Sequence, residues 1–146
     1  MSNSWPPPRL TGVPARNPRD GLAVLFVDPD IVSAHRLAMA LGGLLSNFAV
    51  AATAQAAVEA IRARIPDVIV TELDLLDARG VELIAWLHSM PATRHVLLLV
   101  LTAQASVMHK VAAFQAGADD YLVKPVEAGT LATHLRLLMR FRQVLS

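Results

Sequence analysis

From residue 22 onward, five short apolar runs alternate with stretches whose apolar residues recur at helical spacing. The runs cover residues 22–27, 48–53, 68–70, 96–101 and 120–123. None is longer than a strand, and those at 22–27, 68–70 and 96–101 are apolar on both faces, as expected of strands buried in a parallel sheet with helices on either side. The intervening segments predict helices over about 30–41, 54–64, 81–88, 103–116 and 127–144. Asp28-Pro29-Asp30 suits a helix start, because proline fits the first turn and acids fit the positive end of the dipole. Gly42-Gly43, Pro66, Met90-Pro91 and Gly117 end the first four helices, with Gly117 placed for a left-handed cap. In the last helix Leu131, Leu135, Leu138 and Phe141 are expected to face inward, and Arg136, Arg140 and Arg142 outward. Five successive β-α units require right-handed crossovers, so the pattern predicts an α/β fold: a doubly wound, five-stranded parallel sheet.

A chain of 146 residues fits one domain of ordinary size plus a tail. Residues 1–20 hold Pro6, Pro7, Pro8, Pro14 and Pro18 and read as a disordered or extended Pro-rich tail, leaving 21–146 as the domain. Trp5 beside the triple proline has the makeup of a docking motif, although such termini are more often inert leaders. Residues 1–20 lack the apolar run expected of a signal peptide, and the longest apolar runs, 22–27 and 96–101, fall well short of a membrane span. With a net charge of +1 and 17% charged residues, no long-range field favours nucleic acid. Without cysteine the chain has no disulfides, thiolate zinc sites or thiol nucleophiles.

In open parallel sheets, ligands sit beyond the carboxyl ends of the strands. The residues expected there are Asp28 and Asp30 after the first strand, Glu72 and Asp74 after the third, Thr102 after the fourth and Lys124 after the fifth. Carboxylates this close repel unless a cation joins them; hard oxygen ligands suit magnesium, and a lysine supplies part of the same charge.

These motifs resemble the receiver domain of the two-component response regulators over about residues 22–144. VLFVD ending in Asp28, PDVIV followed by an acid, the loop closing on Gly80-Val81-Glu82-Leu83, VLTA with Thr102 and Ala103, and GADDYLVKP with Lys124-Pro125 carry the resemblance. It implies a flavodoxin-like (βα)5 sandwich, a cis Lys124-Pro125 peptide, a cytoplasmic location and a role in two-component signal transduction or phosphorelay. It also places the family's phosphoacceptor aspartate on Glu72 and its second acid after the first strand on Pro29. Thr102 matches the hydroxyl that contacts the phosphoryl group, Lys124 the invariant amine and Tyr121 the aromatic switch residue. Asp74 falls where a backbone carbonyl meets the metal, so Asp28, Glu72 and Asp74 are the expected, weak magnesium set.

An acyl phosphate forms by in-line attack of a carboxylate held at a fixed distance, and the extra methylene of Glu72 displaces that oxygen by more than about an ångström. The expectation is an atypical receiver, or pseudo-receiver, that is not an enzyme and works by protein contacts without phosphorylation. Its alternative is an active receiver phosphorylated by a histidine kinase at another acid with magnesium. A flavin or nucleotide binder is weakened by the absence of a glycine-rich loop after the first strand. The expected partners are a sensor kinase, an output domain or a second copy, the last through the fourth helix, fifth strand and last helix, with Lys110, Gln115, Asp119, Tyr121 and Arg140 as contact candidates. Plainer roles stand beside these: a surviving Glu72–Lys124 ion pair, Asp74 as a loop acid, Asp30 as a first-turn acid, Thr102 satisfying a helix end and Tyr121 as packing. The five histidines show no ligand spacing.

Overall fold

The computed structural model describes residues 5–11 and 21–145. Chain order is β1 (Leu22–Val27), α1 (Ile31–Leu41), a 3-10 turn (Gly42–Leu44), β2 (Leu45–Ala51), α2 (Ala54–Ala63), β3 (Val68–Thr71), α3 (Gly80–His88), β4 (Leu97–Thr102), α4 (Val107–Ala116), β5 (Asp120–Val123) and α5 (Ala128–Leu145). The five strands form one sheet in the order β2-β1-β3-β4-β5, and every pairing is parallel. Because β1 has β2 on one side and β3 on the other, the strand order reverses between β1 and β3. That crevice is where such sheets place their sites.

Alternation along each strand divides the core in two. Leu25, Val27, Ile69, Leu98 and Val100 pack with α2 and α3, whereas Val24, Phe26, Val68, Val70, Leu99 and Leu101 pack with α1 and α5. Successive side chains point to opposite faces, so a strand buried on both faces must be apolar throughout.

Local chemistry sets several boundaries. Asp30 caps α1 by accepting from Ser33 N–H, and Thr53 caps α2 by accepting from Ala56 N–H. Asp77, from the loop after β3, accepts from Ala54 N–H and Gln55 N–H at 2.8 and 2.9 Å and so ties that loop to the start of α2. Gly80 is required by close approach: a Cβ there would stand 2.4 Å from Glu72 O and 2.7 Å from Leu73 Cα. Gly117 adopts φ +126°, and a Cβ would strike the His88 ring at 2.8 Å.

Four expectations are corrected. β2 begins at Leu45, three residues before Phe48, and ends at Ala51; it is an edge strand whose half-exposed residues give a weak apolar signal. α4 begins at Val107, not Ala103, because Ser106 accepts from His109 N–H and starts the helix there. Phe141 is 62% exposed on α5 rather than inward. Arg142 turns back toward the sheet, its guanidinium 3.6 Å from the buried Asp67 carboxylate, whose other oxygen accepts from Ala23 N–H.

Of the segment read as a disordered or extended tail, residues 5–11 form no helix or strand and pack onto the domain. Leu10 is buried among core residues of α2 and α3, and the Trp5 ring lies 5.8 Å from that of Trp86. The rest of that expectation, residues 1–4 and 12–20, lies outside the described residues.

Candidate functional site

The parallel register brings three charged side chains together at the carboxyl edge. Glu72 N–H donates to Val27 O, Asp28 N–H to Ala51 O and Lys124 N–H to Thr102 O, which extends the ladder just past each strand and aims the side chains into the crevice. The Lys124-Pro125 peptide is cis. Lys124 Nζ donates to Asp28 Oδ2 at 2.7 Å and to Glu72 Oε1 at 3.1 Å. Both acids are buried, with side chains 12% and 10% exposed, while the lysine is 31% exposed.

The remaining acceptors are occupied too. Glu72 Oε2 accepts from Leu73 N–H at 2.7 Å and from Asp74 N–H at 3.4 Å. Asp28 Oδ1 accepts from Asp30 N–H at 2.9 Å. Glu72 therefore folds back over its own loop with one oxygen on backbone donors and the other on the amine, a set of charge-assisted contacts. Burial alone pushes the Lys124 ammonium down, but its bonds to Asp28 and Glu72 outweigh that and raise its pKa above the ordinary 10.5.

The other expected residues are placed nearby but engaged elsewhere. Asp30 bonds Ser33 through both backbone and hydroxyl, which holds its carboxyl below the usual range, and it is fully exposed. Asp74 Oδ2 accepts from Gln104 Nε2 at 2.9 Å. Thr102 is fully buried; its Oγ1 accepts from Gln104 N–H at 3.3 Å, and among the described residues it makes no hydrogen bond to Glu72. Tyr121 donates its hydroxyl to Gln104 O at 2.6 Å, its ring lies 6.3 Å from Phe114, and Lys110 Nζ stands 6.0 Å from the ring centre. Desolvation, then the charges of Glu72 and Asp74, push the Tyr121 phenol up.

Gln104 was missed in the sequence. It joins Asp74, Thr102 and Tyr121, so the loops after β3 and β4 and strand β5 share one polar residue. Its only signal is a lone polar side chain two positions after Thr102, in the gap between β4 and the cap Ser106.

Among the described residues, no three of Asp, Glu, His or Cys are grouped to hold a metal. Asp28 and Glu72 close on Lys124, and the Asp74 carboxylate turns to Gln104. The cation that joins the two buried acids is the lysine. Beside it a cleft of about 650 Å³ opens between α1 and the β5–α5 connection, with Phe26, Leu37, Leu101 and Val126 among its walls.

The fold is a flavodoxin-like sandwich with an acid–lysine cluster at the reversal of strand order, and the comparisons with known proteins give its family. Residues 24–136 match the model of the response regulator receiver domain, and the chain belongs to that family. It is 37% identical over 117 residues to the KDP operon transcriptional regulatory protein KdpE of Escherichia coli K12, covering 80% of this chain and 51% of that protein. It is 38% identical over 122 residues to the transcriptional regulatory protein PrrA of Mycobacterium tuberculosis, covering 82% and 50%. The chain thus spans about half the length of these relatives. Among solved structures it matches the chemotaxis response regulator CheY4 of Vibrio cholerae at 26% identity with a TM-score of 0.73, over 81% of this chain and 98% of that one. A CheY-like receiver domain protein of Methanospirillum hungatei, at 23% identity and a TM-score of 0.79, covers 86% and 99% and supports the fold alone. Among the described residues no helix is long and apolar enough to cross a membrane.

Proposed function

We propose that this receiver domain signals by protein contact while Glu72, at the position the family resemblance gives to the phosphoacceptor, stays unphosphorylated and paired with Lys124. The observation that supports this reading is the occupancy of both Glu72 oxygens, one by Lys124 Nζ and the other by Leu73 and Asp74 N–H. An attacking oxygen has to be free and aligned with the phosphoryl donor, and displacement on this scale costs orders of magnitude in rate. The partner is a sensor kinase, an output domain or a second copy of the chain. For the second copy the supporting surface is α4, β5 and α5: Val107, Met108, Val111 and Phe114 on α4 and Leu137 and Phe141 on α5 are exposed. Nucleic acid is not a partner of this domain, in keeping with its net charge of +1.

A second reading, an active receiver phosphorylated at another acid with magnesium, is supported by the receiver-family match and by relatives that are transcriptional regulatory proteins similar over 80% and 82% of this chain. One experiment separates the two. Incubation with acetyl phosphate and magnesium should leave the intact mass unchanged, and magnesium should bind with a Kd of about a millimolar or weaker, given so few free ligands. A labelled peptide mapping to Asp74 or Asp28 would reject the first reading and establish the second.

A further inference from the structure

The N-terminal segment offers an inference that does not depend on the phosphorylation reading. We propose that the groove between α2 and α3 is a recognition site for a Trp-Pro-Pro-Pro-x-Leu segment, filled here by the chain's own residues 5–10, and that a partner presenting such a segment binds this face by displacing it.

Three contacts carry the proposal. Leu10 is 7% exposed and belongs to the same core cluster as Val58 and Ile61 of α2 and Leu83 and Leu87 of α3. Trp5 tilts against Trp86, ring centres 5.8 Å apart at 59°, and leaves Trp86 only 8% exposed. Arg62 Nη2 donates to Pro8 O at 3.4 Å, a polar clamp between the two anchors. Pro7 is buried while Pro6 and Pro8 are exposed. Prolines suit this placement, because a segment laid on an apolar surface then buries no unmet N–H and loses little freedom on docking. No strand pairing ties the segment to the sheet, so it can open at lower cost than the fold as a whole.

The chain has two tryptophans, Trp5 and Trp86, close enough for their indole transitions to couple and give a paired circular-dichroism band. In the full chain Leu10→Asp should abolish this band while leaving helical signal intact. A fluorescently labelled peptide of sequence WPPPRLT should then bind the Leu10→Asp variant saturably and at least about tenfold more tightly than it binds the wild type, whose tethered segment competes at about millimolar effective concentration. Adding Trp86→Ala should remove that binding. Should Leu10→Asp lose helical signal, Leu10→Ala serves instead, with a weakened band and intermediate peptide affinity expected. A wild-type band that persists in the Leu10 variants, or a released groove that takes up no peptide, overturns the proposal.

Discussion

Replacing Lys124 with methionine removes the ammonium and keeps most of the side-chain volume. Asp28 and Glu72, with side chains 12% and 10% exposed, then lose the contacts at 2.7 and 3.1 Å. Breaking a buried ion pair from one side costs about 3–5 kcal/mol, because the orphaned charge stays buried. Here the lysine is nearly one-third exposed and water can follow it out, so about 2–4 kcal/mol is expected. For a chain of this size that is a fall in Tm of about 6–12 °C. Urea unfolding at pH 7 measures it, and an Asp28→Asn, Lys124→Met cycle isolates the coupling. The deficit should shrink as the pH falls. In the variant the two facing carboxylates repel, so the folded state takes up protons more readily than the unfolded chain and gains stability through the carboxyl range. A loss below about 0.5 kcal/mol, or a deficit that does not change with pH, would refute the view that lysine is the cation holding these acids together.

Other perturbations test the surrounding parts. Gly80→Ala should cost about 1–3 kcal/mol in urea unfolding, since the new Cβ meets the backbone of Glu72 and Leu73 at 2.4 and 2.7 Å and neither can rotate aside; a neutral outcome would mean that the loop is free to move. Desolvation pushes the Asp119 carboxyl up, against the bond it accepts from Leu98 N–H. A raised carboxyl destabilises the fold above its pKa, so Asp119→Asn should match or exceed wild-type stability at pH 7 by less than about 1 kcal/mol, with the gain fading toward pH 4. Lys110→Glu and Arg140→Glu should weaken self-association or partner binding in sedimentation experiments. If they leave it unchanged while changes on α1 abolish it, the α4–β5–α5 assignment is wrong.

How much of this was legible in the sequence depends on which neighbours each residue meets. β1, β3 and β4 are buried on both faces, so their apolar runs mark them closely, whereas the edge strand β2 mixes exposed and half-buried residues and its start was misplaced. The start of α4 was readable from Ser106, a capping residue passed over for the longer alanine-containing stretch before it. Asp28, Glu72 and Lys124 stood out because each follows a strand, and the parallel register does the rest. The Glu72–Lys124 pair and the first-turn role of Asp30 were readable, but the distant partner of Asp74, Gln104 thirty residues on, was not. The same holds for Leu10, whose Pro-rich neighbours hide a core residue, and for Asp67, whose partners Ala23 and Arg142 come from opposite ends of the chain.

The state of the Lys124 ammonium tests the account most directly, since the whole site is built on its contacts with Glu72 and Asp28. Nitrogen-detected NMR of the side-chain Nζ, followed through alkaline pH, should show Lys124 titrating above 10.5, with a lower midpoint in Glu72→Gln. Because the folded pKa is raised, the pair's contribution to stability is present below about 10.5 and is lost as the pH climbs through the folded value. A Lys124 that titrates at or below 10.5, and whose midpoint ignores Glu72→Gln, would contradict the pairing.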